Sequence, residues 1–231
     1  MPEDRTSTLI TISNPRSPVS EAYRTLRTNL EFSSLDKPIC SMVVTSAAPE
    51  EGKSTTLANL AVAIAQAGKR VILVDCDLRR PSLHQIFNVR GATGFTDMMR
   101  DDNWMARPPL QETSVPNLRL LTSGTIPPNP SELLASRRMS EVITALQQQA
   151  DMILFDAPPV VAVTDAAVLA TKVDAVLLVI SAGRTKRDHA RKAKALLEKV
   201  NARLVGTVLN NVKGEASLYQ YYSSDDVGAH P

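Results

Sequence analysis

The sequence predicts an α/β fold: a mostly parallel sheet with helices on both faces. Two observations predict it. Short, uninterrupted apolar runs recur along the chain, as strands buried on both faces require, and stretches with helical periodicity separate them. A third observation locates a site. Acidic and Gly-Lys-Ser residues follow directly on these runs, at the carboxyl ends of the strands, where open α/β sheets bind ligands.

The elements follow in chain order. Residues 1–18 contain Pro2, Pro15 and Pro18 and read as a loose, flexible arm. A helix starts near Ser20, a good N-cap type, and runs to about Ser33. The run 41–45 is the first strand. Leu57, Leu60, Ala61, Ile64 and Ala65 recur at helical spacing, and Gly68 stops that helix. Strands are predicted at 71–74 and 118–121, and the poorly patterned stretch between them, 91–116, reads as a flexible or functional loop. Ser131 caps a helix ending near Gln149. Further strands fall at 152–155, 175–180 and 204–209, with a basic-faced helix over 186–200 between the last two. Past Val212 no core pattern continues. The organisation is therefore an arm (1–18), one domain (19–212) and a mobile tail (213–231) holding Tyr219, Tyr221 and Tyr222.

The length of 231 residues suffices for one domain with a substantial core. A formal net charge of +2 is too small to argue for nucleic acid or an anionic membrane as partner. Cys40 and Cys76 have no metal-ligand spacing and fit a reduced, cytosolic protein. The N-terminus does not read as a secretory leader. The longest apolar stretch, 175–180, is far shorter than the roughly 20 residues a membrane span needs, so membrane association is expected only through a partner.

Ala47-Ala48-Pro49-Glu50-Glu51-Gly52-Lys53-Ser54 fits the P-loop pattern, with Ala47 at the first glycine position and the required strand before and helix after. Backbone N–H groups at such a turn face phosphate, the lysine reaches the β- and γ-phosphates, and the hydroxyl ligates Mg²⁺. Ala48, Pro49, Glu50, Glu51, Gly52, Lys53, Ser54 and Thr55 are thus the candidate nucleotide cradle for ATP. Two more strand ends carry acids: Asp75 and Asp77 after 71–74, and Asp156 after 152–155. At strand period two, Asp75 and Asp77 point the same way. With Ser54 these acids are the candidate Mg²⁺ ligands, directly or through water. Arg79 either stabilises phosphate charge or pairs with a nearby acid.

In order along the chain, Glu21-Ala22-Tyr23-Arg24-Thr25-Leu26-Arg27, the P-loop, a second Walker motif at 74–79, Pro127-Pro128-Asn129-Pro130-Ser131-Glu132-Leu133-Leu134, Asp156-Ala157-Pro158-Pro159 and the tyrosine cluster together resemble the bacterial tyrosine kinase family of capsule and exopolysaccharide synthesis. The resemblance covers nearly the whole chain. It implies a P-loop NTPase fold, transfer of phosphate from Mg²⁺-ATP to tyrosine, and autophosphorylation of Tyr219, Tyr221 and Tyr222 in trans. It also implies a ring homo-oligomer joined through Glu21, Arg24 and Arg27. A separate membrane-anchored activator would recruit the cytoplasmic kinase to the inner face of the membrane, and other protein substrates are possible. Lys53, Asp75, Asp77, Arg79 and Asp156 are the expected catalytic group, with Asp77 the candidate base. Family P-loops often read Pro-Gly-x-Gly-Lys, and Glu50 departs from that pattern, its side chain facing either the phosphates or solvent. The related ATPase switches that partition DNA or position division sites are the alternative. Their P-loops carry a signature lysine where this chain has Ala48, and in related ATPases adenine is often read where Asn210 stands.

Overall fold

The computed structural model describes residues 9–212. Among these residues the strands are β1 (Ser41–Ser46), β2 (Val71–Asp75), β3 (Gln111–Glu112), β4 (Leu118–Leu121), β5 (Met152–Asp156), β6 (Ala175–Ser181) and β7 (Leu204–Asn210). They form one seven-stranded sheet in the order β3-β4-β2-β5-β1-β6-β7, parallel except for the short β3·β4 pair. The helices are α1 (Ile10–Ser13), α2 (Pro18–Phe32), α3 (Lys53–Gln66), α4 (Leu83–Ile86), α5 (Phe95–Arg100), α6 (Asn103–Ala106), α7 (Pro130–Ala135), α8 (Arg137–Gln147), α9 (Asp165–Ala170) and α10 (Arg187–Lys199).

The apolar runs are continuous because each strand feeds two cores. Val43, Ile72, Val74 and Phe155 point to one, shared with residues of α5, α7, α8, α9 and α10. Met42, Val44, Leu73 and Leu154 point to the other, shared with α2, α3 and α4. Successive side chains alternate between faces, so both must be apolar. The two edge strands, β3 and β7, have no fully buried residue. In α3 every residue from Thr56 to Ala65 is buried, because the sheet covers one side and α1 and α2 cover the other. Met139, Val142, Ile143 and Leu146 of α8 form a single apolar stripe, each side chain contributing about 1.5–3 kcal/mol of transfer free energy.

Several expectations need correction. Residues 9–18, predicted as part of a loose arm, pack on the domain: Leu9 and Thr11 are buried, and the Thr11 N–H and hydroxyl both donate to Asn59 Oδ1 of α3, at 3.1 and 2.9 Å. Helix α2 begins three residues earlier than predicted. Ser17 is its cap, accepting from Ser20 N at 3.1 Å, and Pro18 sits in the first turn, where its missing N–H is harmless. The single helix expected from Ser131 to Gln149 is two helices. Ser136 takes an extended conformation (φ −61°, ψ 158°) and its hydroxyl caps Leu133 O, ending α7. The stretch 91–116 is not a flexible loop. It holds α5, α6 and β3, and Phe95 and Met98 are fully buried. Elements of two to six residues are too short to show a period. Gly94 allows the docking, since a Cβ there would lie 2.0 Å from the Thr122 carbonyl oxygen.

Candidate active site

The loop after β1 turns into α3 through Gly52, which adopts the left-handed conformation (φ 84°). A Cβ on Gly52 would lie 2.1 Å from Asn210 Nδ2, which donates to Glu51 O at 3.0 Å. The end of β7 therefore braces the loop through a position only glycine fills. Gly52→Ala combines left-handed strain with this overlap. It is expected to weaken ADP binding at least tenfold in a calorimetric titration while the protein stays folded, and unchanged affinity would mean the loop adapts freely. Ala47 is buried and its φ is not positive, so no glycine is required there.

Glu51 is buried, and its carboxylate serves the loop. It accepts from Ala48 N at 2.9 Å and from the hydroxyl of Thr185 in the loop after β6. Glu50 has a left-handed backbone (φ 60°), and its exposed side chain lies 3.6 Å from Arg184. It faces solvent. Neither Thr185 nor Arg184 was singled out from sequence, where nothing but proximity in the fold would pair them with 50–51.

Lys53 Nζ lies 2.8 Å from Asp77 Oδ2 and 3.2 Å from Asp156 Oδ1, and Ser54 Oγ donates to Asp156 Oδ2 at 2.5 Å. Burial works to lower the lysine's pKa, but Asp156 and Asp77 outweigh it and the net shift is upward. Asp156 is fully buried, and desolvation raises its pKa despite Lys53 and Ser54. Strand β2 ends at Asp75, so the period-two argument does not extend to Asp77. The two acids differ in their contacts. Asp77 meets Lys53 and accepts from Arg80 N at 3.0 Å, whereas Asp75 Oδ2 accepts from Ser82 N and Leu83 N at 2.9 and 3.0 Å.

Asp75 and Asp156 are register neighbours on β2 and β5. Burial first, and then this like charge, push Asp75 up to about 8. Its Oδ1 is buried without a hydrogen-bond partner among the described residues. An unpartnered carboxylate oxygen, a second buried acid and the Ser54 hydroxyl fit a hard cation. No group of three or more His, Cys, Asp or Glu among the described residues is placed to hold a metal alone. Such a cation would take most of its ligands from phosphate and water, as Mg²⁺ does.

The raised carboxyl gives a pH prediction. The folded pKa lies above that of an ordinary carboxyl, so the folded state holds the extra proton between these limits. Stability is fully present below the unfolded pKa and falls as pH rises toward about 8, with Asp156 contributing in the same direction. In EDTA without nucleotide, Asp75→Asn should flatten this decline in melting temperature. Parallel curves for the two proteins would show that Asp75 does not carry it.

Arg79 pairs with an acid. Its Nε and Nη2 donate to Asp165 Oδ2 and Oδ1 at 2.9 and 3.1 Å. Asp165, missed from sequence, is fully buried in the first turn of α9. The signal for it was an acid opening a short apolar helix, which reads equally as an ordinary first-turn residue. On α2, Glu21 and Arg24 pair at the surface (2.7 Å), while Arg27 Nη1 turns inward to Ala63 O of α3 at 3.2 Å. The three do not form one exposed face. Tyr219, Tyr221 and Tyr222 lie outside the described residues.

A ParA family model, described as NUBPL iron-transfer P-loop NTPase, matches residues 40–217. Tyrosine-protein kinase YwqD of Bacillus subtilis (strain 168) is 44% identical over 219 residues, covering 94% of this chain and 92% of that protein. The putative tyrosine-protein kinase CapB of Staphylococcus aureus is 38% identical over 221 residues, covering 95% and 96%. Among solved structures, the chimerical protein CapA2B2 superposes with a TM-score of 0.85 at 40% identity, covering 90% of this chain and 91% of that one.

Proposed function

Since this chain belongs to the bacterial tyrosine kinase family and is a tyrosine-protein kinase of the capsule and exopolysaccharide type, we propose that it phosphorylates its own Tyr219, Tyr221 and Tyr222 in trans from Mg²⁺-ATP. The P-loop fold binds nucleotide. The observation that carries the reading is the cluster of Lys53, Ser54, Asp77 and Asp156 at the carboxyl ends of β1, β2 and β5, in a chain this similar to tyrosine kinases.

In the reaction, a bond forms between the tyrosine oxygen and the γ-phosphorus, the bond from that phosphorus to the β–γ bridging oxygen breaks, and ADP leaves. The phenolic proton passes to a carboxylate. Asp77 takes that role, lying beyond the end of β2 with its Oδ2 on Lys53. As the phosphates draw Lys53 to themselves, this oxygen is freed to accept the proton. Lys53 holds the phosphates, and the N–H groups of the loop through Thr55 cradle them. Ser54, Asp75 and Asp156 would hold Mg²⁺, which supplies neutralisation of the charge developing on the phosphates. Asn210, beside Gly52, would bound the nucleotide on the β7 side.

The proposal extends to assembly. Glu21, exposed, and Arg24, half-buried, pair at the outer side of α2 and suit a head-to-tail contact that closes into a ring, whereas Arg27 supports it from within the subunit. Among the described residues no helix is long and apolar enough to cross a membrane. A cytoplasmic kinase recruited by a membrane-anchored activator fits that finding and the similarity to CapA2B2. The test is intact mass after incubation with Mg²⁺-ATP, with and without an activator fragment. Added phosphates that vanish in a Tyr219/Tyr221/Tyr222→Phe variant support the reading. Steady ADP release with no added mass, even with activator, would favour an ATPase switch instead.

A further inference from the structure

We infer that Asp165 is a positioning residue that holds Arg79 at the mouth of the phosphoryl-transfer site, and that Ser131 closes the same latch. This deepens the kinase reading above and rests on it.

Three segments distant in sequence meet at one buried carboxylate. Arg79 comes from the loop after β2, two residues beyond Asp77. Ser131 belongs to the Pro-Pro-Asn-Pro-Ser segment that opens α7, and Asp165 opens α9. Both oxygens of Asp165 are used: Oδ2 by Arg79 Nε at 2.9 Å, and Oδ1 by Arg79 Nη2 at 3.1 Å and by Ser131 Oγ at 2.5 Å. Ser131 Oγ in turn accepts from Arg79 Nη2 at 3.4 Å and from Thr164 Oγ1 at 3.3 Å.

An ion pair whose carboxylate alone is buried is a poor source of stability, because desolvating that carboxylate offsets its attraction to the arginine. Its effect here is directional. The guanidinium is planar, and with Nε and Nη2 gripped, its orientation is set by the protein. The side chain is still 42% exposed, and Nη1 has no hydrogen-bond partner among the described residues. That leaves one cationic N–H edge, held in a fixed direction and within electrostatic range of Asp77. A donor fixed before reaction needs no reorganisation when charge builds on the transferred phosphoryl group. An arginine without its latch would spread over many rotamers and lose that advantage. Because Ser131 sits at the start of α7, a shift of this segment would reach the site through Asp165.

The test uses the full chain with activator fragment, comparing wild type, Asp165→Asn, Ser131→Ala, Arg79→Ala and the Asp165→Asn/Arg79→Ala double variant. Phosphotyrosine formation and ADP release are each followed at steady state, with ADP affinity and melting temperature alongside. Asp165→Asn should lower kcat about 10- to 100-fold while KM for ATP and ADP affinity stay within about twofold. Ser131→Ala should lower kcat about threefold, for loss of one of several bonds. The double variant should be no slower than Arg79→Ala, since the latch acts only through the arginine. Wild-type kcat in Asp165→Asn, or losses that multiply in the double variant, would overturn the inference. If Asp165→Asn does not fold, a Ser131→Ala/Arg79→Ala double variant decides in its place: it must be no slower than Arg79→Ala, and a further loss overturns the inference. If wild type releases ADP without phosphotyrosine, the kinase reading fails and the latch is still judged on ADP release.

Discussion

Lys53→Met is expected to abolish phosphotyrosine formation, by about 10³-fold or more, and to destabilise the protein at the same time. The two effects have one origin. Lys53 Nζ bonds both Asp77 and Asp156, at 2.8 and 3.2 Å, and its charge also lowers the pKa of Asp75. Methionine fills the same space and removes the charge, so the γ-phosphate loses its cation and two buried acids lose theirs. Breaking a buried pair costs about 3–5 kcal/mol, less whatever the carboxyls recover by taking up protons. The melting temperature should fall by several degrees at pH 8, and by less at pH 5, where those protons are readily bound. Residual phosphate incorporation above about one per cent of wild type would mean that the loop N–H groups and the metal suffice without the lysine.

The sheet was legible because its strands are buried on both faces. Runs such as 71–74 and 152–155 admit no other reading once a helix-period segment lies between successive runs. The P-loop was legible because Gly52 and Lys53 act through local backbone geometry, and the resemblance to the kinase family rests on residues that stand in order along the chain. What could not be read depends on distance. Thr185 reaches Glu51 across 134 positions, and Asp165 reaches Arg79 across 86. Neither has a local signature. Arg27 was expected at a contact between subunits, yet the packing of α2 on α3 turns it toward the Ala63 carbonyl. The stretch 91–116 failed for a different reason. Its elements owe their order to contacts with the segment just after β4 and with α8, such as Phe95 N to Thr122 O and Arg138 to Met98 O, and not to any period of their own.

Asp77→Asn should lower kcat by about 10²–10⁴-fold while ADP affinity changes little. The side-chain oxygen can still accept from Arg80 N, so the backbone of the loop is preserved, and the lost functions are the negative charge and the capacity to take a proton. A tyrosine hydroxyl has a pKa near 10, and ionising it fully at pH 7 would cost about 4 kcal/mol. A carboxylate that accepts the proton as the phosphoryl group transfers avoids most of that cost, and an amide cannot. The alternative for Asp77 is to hold metal, and the two roles separate in the kinetics. If Asp77 is the base, raising Mg²⁺ does not restore the rate, and the variant recovers relative to wild type as pH approaches the tyrosine's own pKa. If it is mainly a metal ligand, the Mg²⁺ requirement rises and excess Mg²⁺ rescues kcat at neutral pH. Asp75→Asn serves as the contrast. Asp75 Oδ2 is tied to Ser82 and Leu83 and its other oxygen lacks a partner, so its loss should alter Mg²⁺ dependence without the alkaline recovery. The same pattern in both variants would remove the distinction between the two acids on which the assignment of the base depends.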